Sequence, residues 1–186
     1  EGDIAEFDCQ GLLRSAITVV KAKANEKSLQ LELDISNELP QTFLGHPAEL
    51  RQSLLNLLIN AIKFTEDGSV TLRVRQVAQT ADEYRLRFEV IDTGIGISQK
   101  HQQRIFEPFF SLAPAVSKGN ESSTGLGLDI VRRNVEKMGG ELGLVSSPGE
   151  GSTFWFEVPL TAIQGGETTA PTDKPDQKFE SVETLS

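Results

Sequence analysis

The chain has 186 residues, 38% of them hydrophobic, which is enough for one domain with a single core and too few for two. A formal charge of −9 would repel a phosphate backbone, because non-specific nucleic-acid binding rests on clustered Lys and Arg, so nucleic acid is not an expected partner. Cys9, the single cysteine, permits no internal disulfide and no cysteine-rich zinc site. No apolar run approaches the ~20 residues of a spanning helix, and the N-terminus lacks the basic-then-apolar order of a signal peptide. The expected setting is the reducing cytoplasm, without direct membrane insertion of this piece, while a parent protein could be anchored in the inner membrane.

In chain order, Leu12, Leu13, Ala16, Ile17 and Val20 recur at helical spacing, and Leu29, Leu31, Leu33 and Ile35 alternate as a strand does. A second helix opens at Pro47, a favoured first-turn position, and runs to about Phe64 before the turn Glu66-Asp67-Gly68. Two strand-like runs follow, Val70, Leu72, Val74 and then Leu86, Phe88, Val90. Residues 108–123 show no sustained period, and an unstructured connection of that length is either a functional lid or disorder. A third helix carries Leu128, Val131, Val135 and Met138 on one face and stops at Gly139-Gly140. Strands over Glu141–Ser146 and Ser152–Leu160 flank the turn Pro148-Gly149-Glu150-Gly151. From about Ile163 the composition shifts to Thr, Pro, Gly, Asp, Glu and Gln, which reads as a disordered tail or linker over 163–186. Alternating helical and strand periods predict an α/β domain, a mixed sheet covered by helices.

Three stretches could carry chemistry. On the second helix, Leu50, Leu54, Leu57, Leu58 and Ala61 project to one side, while Glu49, Gln52, Ser53, Asn56, Asn60 and Lys63 project to the other. A face that met only water would be better filled with Glu, Lys or Gln than with two Asn. Amide oxygens suit Mg2+, and an ammonium suits a phosphate. Next, Ile91-Asp92-Thr93-Gly94-Ile95-Gly96-Ile97 ends a strand whose period puts Asp92 on the buried face with Leu86, Phe88 and Val90. Asp92 either bonds nearby backbone N–H groups in a turn or accepts an exocyclic amine such as that of adenine, with Gly94 and Gly96 letting the backbone approach a ring. Finally, Ser123-Thr124-Gly125-Leu126-Gly127-Leu128 precedes a helix, where exposed N–H groups and the helix dipole can hold phosphate; glycines there also serve close packing.

The order LRQSLLNLLINAIKFT, DTGIGI, RIFEPFF, a loose loop, STGLGLDIV and GEGSTFWFEVP resembles the motif series of the histidine kinase ATP-binding catalytic domain, over about Phe7 to Pro159. That domain belongs to an ATPase superfamily shared with type II topoisomerases, MutL and a heat-shock chaperone. The resemblance implies a Bergerat-type fold, a two-layer sandwich of a mixed, mostly antiparallel sheet covered on one face by about three helices. It implies ATP and Mg2+ as ligands, with Asn60 coordinating the metal, Asn56 beside the phosphates and Lys63 contacting them. Phe64 would lie against the adenine, Asp92 would receive its amino group, and Gly94, Ile95 and Gly96 would shape the base pocket, with Thr153 supporting it through a water. Residues 108–123 would be the lid, closing with Thr124, Gly125, Leu126 and Gly127 on the triphosphate. The sequence departs from the family at His46, where Asp is common, at Asp129, where a small residue is usual, and in a lid whose one basic residue is Lys118.

Neither His46, ahead of Pro47, nor His101, in Gln99-Lys100-His101-Gln102, has the setting of a phosphate acceptor. The expectation is therefore that residues 1–8 end a linker from a dimerisation domain carrying the acceptor histidine, that 9–162 form the catalytic domain, and that a response regulator receiver domain acts downstream. The alternatives are a non-catalytic signalling module of this fold and an ATPase of the chaperone or topoisomerase type, whose relatives carry Glu where Asn56 stands.

Overall fold

The computed structural model describes residues 3–36, 38–110 and 126–163. Its elements run β1 (Ala5–Asp8), α1 (Cys9–Glu26), β2 (Gln30–Ile35), β3 (Thr42–Gly45), α2 (Pro47–Phe64), β4 (Ser69–Gln79), β5 (Glu83–Asp92), α3 (Gln99–Gln102), α4 (Gly127–Lys137), β6 (Glu141–Ser147) and β7 (Gly151–Ala162). The strands form one sheet in the order β1-β3-β7-β5-β4-β2. β6 pairs with the same edge of β7 as β3 does, further along: β6 takes Gly151 to Glu157 and β3 takes Thr161 and Ala162. Among the described residues only the β2–β4 pair is parallel, so the sheet is mixed and mostly antiparallel, as expected.

Strand periodicity splits the sheet into two chemically different faces. Val70, Leu72 and Val74 of β4, Leu86, Phe88 and Val90 of β5, and Phe154, Phe156, Val158 and Leu160 of β7 are all buried beneath the helices. Phe88 and Phe156, register partners, stack with ring centroids 5.1 Å apart. Against this face α1 sets Leu13, Ala16, Val20 and Ala24, α2 sets Leu50, Leu54, Leu57, Leu58, Ala61 and Ile62, and α4 sets Val131 and Val135. Each large side chain so buried contributes about 1.5–3 kcal/mol. The other face carries ion pairs: Asp34 with Arg73 and Arg75, Arg73 with Glu89, and Glu157 with Arg85 and Arg87. A one-residue slip of any strand would exchange these charges with the core, so the two faces hold the register.

Two features go beyond the sequence reading. Residues 5–8 and 42–45, for which no strand is predicted, pair antiparallel as β1 and β3 (Phe7↔Phe43) and close one edge of the sheet. The polar stripe of α2 is not open along its whole length, because Glu49 and Ser53 are buried where α4 packs against it. Asn134 Nδ2 of α4 donates to Glu49 O at 3.4 Å and to Gln52 Oε1 at 3.0 Å, and Lys137 pairs with Glu49. His46 precedes α2 without capping it through its side chain, and its buried Nδ1 has no hydrogen-bond partner.

Both outer helices end in the same device. At the end of α4, Gly140 N–H donates to Val135 O and Gly139 N–H to Glu136 O, with Gly139 in the left-handed region at φ 72°. At the end of α1, Leu29 N–H donates to Ala24 O and Ser28 N–H to Asn25 O, but here Ser28 holds the left-handed position at φ 56°. A side chain there is disfavoured relative to glycine. Ser28→Gly is expected to stabilise the fold by about 0.5–1 kcal/mol, seen as a higher urea midpoint with unchanged slope; a lower midpoint would contradict this account.

Candidate functional site

The C-terminal half of α2 supplies Asn56, Asn60, Lys63 and Phe64, all partly exposed. A helix leaves its last carbonyls without intrahelical donors, and here each finds another partner. Thr65 Oγ1 donates to Ala61 O at 2.7 Å. Lys27 Nζ donates to Ile62 O, Lys63 O and Thr65 O at 3.1, 3.0 and 3.2 Å. Phe64 O accepts from Ile95 N–H at 3.3 Å, which ties the loop after β5 to the end of α2.

That loop is built tightly around Asp92. The carboxylate is 6% exposed, and its Oδ1 accepts from Gly94 N–H at 2.9 Å and Ser152 N–H at 3.3 Å. Among the described residues nothing donates to Oδ2, so the second oxygen of this buried acid has no hydrogen-bond partner there. Burial pushes the Asp92 carboxyl above its ordinary range, and the two backbone donors only partly oppose this. A Cβ at Gly94 would lie 2.3 Å from Phe64 O, and one at Gly96, whose φ is 68°, would lie 2.0 Å from Ser147 O. Both positions therefore require glycine. Ile95, between them, leaves an apolar side chain 39% exposed at the mouth of the loop.

Beyond Gly96 the loop is clamped to β6 and β7. Ile97 N–H donates to Ser146 Oγ at 2.8 Å, and Gln102 Nε2 bridges Ile97 O and Ser146 O at 2.7 and 3.0 Å. Ser146 Oγ also bonds Gly151 O and Ser152 Oγ, each at 2.9 Å. Thr153, the expected support for the base pocket, does not join this group. Its neighbours Ser152 and Phe154 are buried on the core face, so strand alternation turns Thr153 to the opposite face from Asp92. Ser152 occupies the place, and counting by twos back from Phe156 and Phe154 would have found it.

The third part of the site is the start of α4. Asn56 Nδ2 donates to Gly127 O at 3.3 Å, and a Cβ on Gly127 would stand 3.9 Å from Asn60 Nδ2 and 4.0 Å from Asn56 Cγ. The two amides of α2 thus flank the first turn of α4, whose N–H groups lack intrahelical acceptors and whose dipole favours an anion. The helical ladder of α4 begins with Ile130 N–H on Leu126 O, at 2.9 Å. Asp129, in that first turn, is buried and bonded to Arg132 and Arg133 at 2.8 and 3.0 Å. The Arg132 hydrogen bond, above all, holds its carboxyl below the ordinary range. Its charge is therefore matched within α4 itself. Lys63 Nζ lies 5.8 Å from the centroid of the Phe64 ring. Thr124, Gly125 and residues 111–123 of the expected lid lie outside the described residues.

The site therefore joins a buried carboxylate with a free oxygen to a pair of amides at a helix N-terminus, on one face of a helix-covered mixed sheet. Such an arrangement can hold an amino-bearing ring at one end and an anion with a hard cation at the other. Fold and site together define a nucleotide-binding domain of the α/β sandwich type. The chain belongs to the family of histidine kinase-, DNA gyrase B- and HSP90-like ATPases, whose model matches residues 45–162. It is 40% identical over 169 residues to the sensor histidine kinase AruS of Pseudomonas aeruginosa, covering 91% of this chain and 17% of that protein. It is 36% identical over 154 residues to the signal transduction histidine-protein kinase BarA of Escherichia coli K12, covering 83% of this chain and 17% of that protein. Among solved structures, full-length ShkA in complex with AMPPNP matches with a TM-score of 0.76 and 37% identity over 89% of this chain and 33% of its own. The nucleotide-free catalytic domain of the histidine kinase ThkA matches at 0.66 and 25% identity over 84% of this chain and 95% of its own. The chain thus spans about a sixth of the curated relatives it matches.

Asp92 makes a pH-dependent contribution whose sign follows from its raised pKa. Between the ordinary value of 3.8 and the higher folded value, the folded state binds the extra proton, so ionised Asp92 lowers stability above that window and the penalty vanishes as pH falls through it. Asp92→Asn keeps one oxygen for Gly94 and Ser152. It is expected to be more stable than the parent in urea melts at neutral pH, with the gap closing in acid. Equal midpoints at neutral pH, or a gap that widens in acid, would rule out burial of the charge as its cause.

Proposed function

We propose that this chain is the ATP-binding catalytic domain of a two-component sensor histidine kinase, which donates the gamma-phosphoryl group to a histidine on a separate dimerisation domain of its parent protein. The observation that carries this reading is the bond from Ile95 N–H to Phe64 O. It joins the Asp92 loop to the helix bearing Asn56 and Asn60, so one ligand can be gripped at both ends. In this reading Asp92 accepts the adenine amino group, Gly94, Ile95 and Gly96 lie along the ring with Phe64 against it, and Ser152 supports Asp92. Asn56 and Lys63 attend the phosphates, and Leu126 and Gly127, continued by Thr124 and Gly125, close on them. Residues 108–123 act as the lid.

Mg2+ would be held through the Asn60 amide and would neutralise charge on the phosphates. A single protein oxygen suits Mg2+, which keeps waters and takes phosphate oxygens as its other ligands. Among the described residues there is no cluster of three His, Cys, Asp or Glu side chains that could form an all-protein cage, so the donor set fits a metal that arrives with its nucleotide. The residues of the chain then act by position. They hold the gamma-phosphorus for in-line attack by an imidazole nitrogen, the bond to the bridging oxygen breaks, and ADP leaves. No described helix of this segment is long and apolar enough to cross a membrane.

Asp92→Asn is expected to weaken binding of Mg-AMPPNP by roughly tenfold to a hundredfold, the effect of losing a charge-assisted hydrogen bond. Titration calorimetry measures it, and undiminished affinity would remove the adenine role. With gamma-labelled ATP, the chain alone is expected to remain unlabelled and to transfer label only when a dimerisation domain bearing its histidine is added. Acid-labile label on the chain alone, abolished by His101→Ala, would overturn the proposed division of labour.

A further inference from the structure

We propose that Lys27 is a positioning residue that sets the two halves of the nucleotide site against each other, an inference that rests on the nucleotide-binding reading above. Its ammonium uses all three of its donors on Ile62 O, Lys63 O and Thr65 O, bracketing Phe64. The one carbonyl it skips in that stretch, Phe64 O, is the acceptor for Ile95 N–H. The tether therefore grips the chain on both sides of the single backbone bond joining α2 to the Asp92 loop. Lys27 itself has little freedom. It caps the C-terminus of α1 directly after Glu26, followed by Ser28 in the left-handed region, and the bonds of Ser28 and Leu29 back into α1 fix the direction in which its side chain leaves. Glu66 Oε1 lies 3.5 Å from the same ammonium on its exposed side.

The placement has a directional consequence. Asn60 lies two residues before the first tethered carbonyl and Lys63 carries the second, and Gly94 to Gly96 hang from Phe64. Releasing the end of α2 would let the amides and the base pocket move independently. A positive charge at a helix C-terminus is also favoured by the dipole, so the ammonium is suited to the task in a way that a neutral donor is not.

The test uses the full chain and its Lys27→Met and Lys27→Arg variants, compared where all are folded, with two readouts: affinity for Mg-AMPPNP and amide hydrogen exchange. In Lys27→Met, exchange at Ile95 is expected to accelerate about tenfold relative to Phe88 in the core of β5, with affinity falling by about the same factor. Lys27→Arg, which retains charge and donors, is expected to recover most of both. If Ile95 exchange and affinity are unchanged in Lys27→Met, or if all amides accelerate together, Lys27 serves general stability and the proposal is overturned. A parent chain that fails to bind Mg-AMPPNP would overturn the nucleotide reading instead, while Ile95 exchange would still judge the tether. Should Lys27→Met not fold, Lys27→Gln, which keeps an amide donor without the charge, takes its place under the same criteria.

Discussion

A helix cannot end inside a protein without finding donors for its last carbonyls, and the site of this protein is organised by how α2 meets that demand. Were water to satisfy those groups, the end of α2 would have to stand away from the loop that follows β5. Instead Thr65, Lys27 and Ile95 supply the donors. The same bonds that terminate the helix bring its last turn against Asp92, and they explain why Gly94 has no space for a side chain. Helix termination and site assembly are one event.

Much of this was legible in the sequence. The bounds of α2 follow from Pro47 and the turn after Phe64, and the Leu and Ala stripe gives its buried face, because helical period, a first-turn proline and a turn dipeptide all agree. The burial of Asp92 follows from counting by twos along β5. Other features were hidden for physical reasons. β1 and β3 span four residues each, too short for periodicity to register, and they exist as strands only because they pair with each other and with β7. Glu49 and Ser53 are polar and sit on the polar side of α2, so their burial depends on where α4 lands, which is a tertiary fact. The choice between Ser152 and Thr153 is decided by strand phase, which motif similarity alone does not read.

The role of Lys27 was invisible in another way. It lies 35 residues from the first carbonyl it holds, in a segment that reads only as the end of an amphipathic helix. Nothing local distinguishes it from Lys21 or Lys23. Its partners are backbone atoms, which leave no imprint on side-chain patterns, and so no motif records the contact.

The position of β7 in the sheet carries a consequence for how the domain comes into being. β7 is the last of the described strands, yet it pairs with β5 along one edge and with β6 and β3 along the other. Before it arrives, β5 has a bare edge carrying Leu86, Phe88 and Val90, and β1 and β3 have no sheet to join. During synthesis the ribosome must therefore complete nearly the whole domain before its sheet can close, and the chain must bring together segments more than a hundred residues apart. Such non-local closure is intrinsically slow. For that interval the nascent protein exposes an unpaired apolar strand, the kind of surface that molecular chaperones hold.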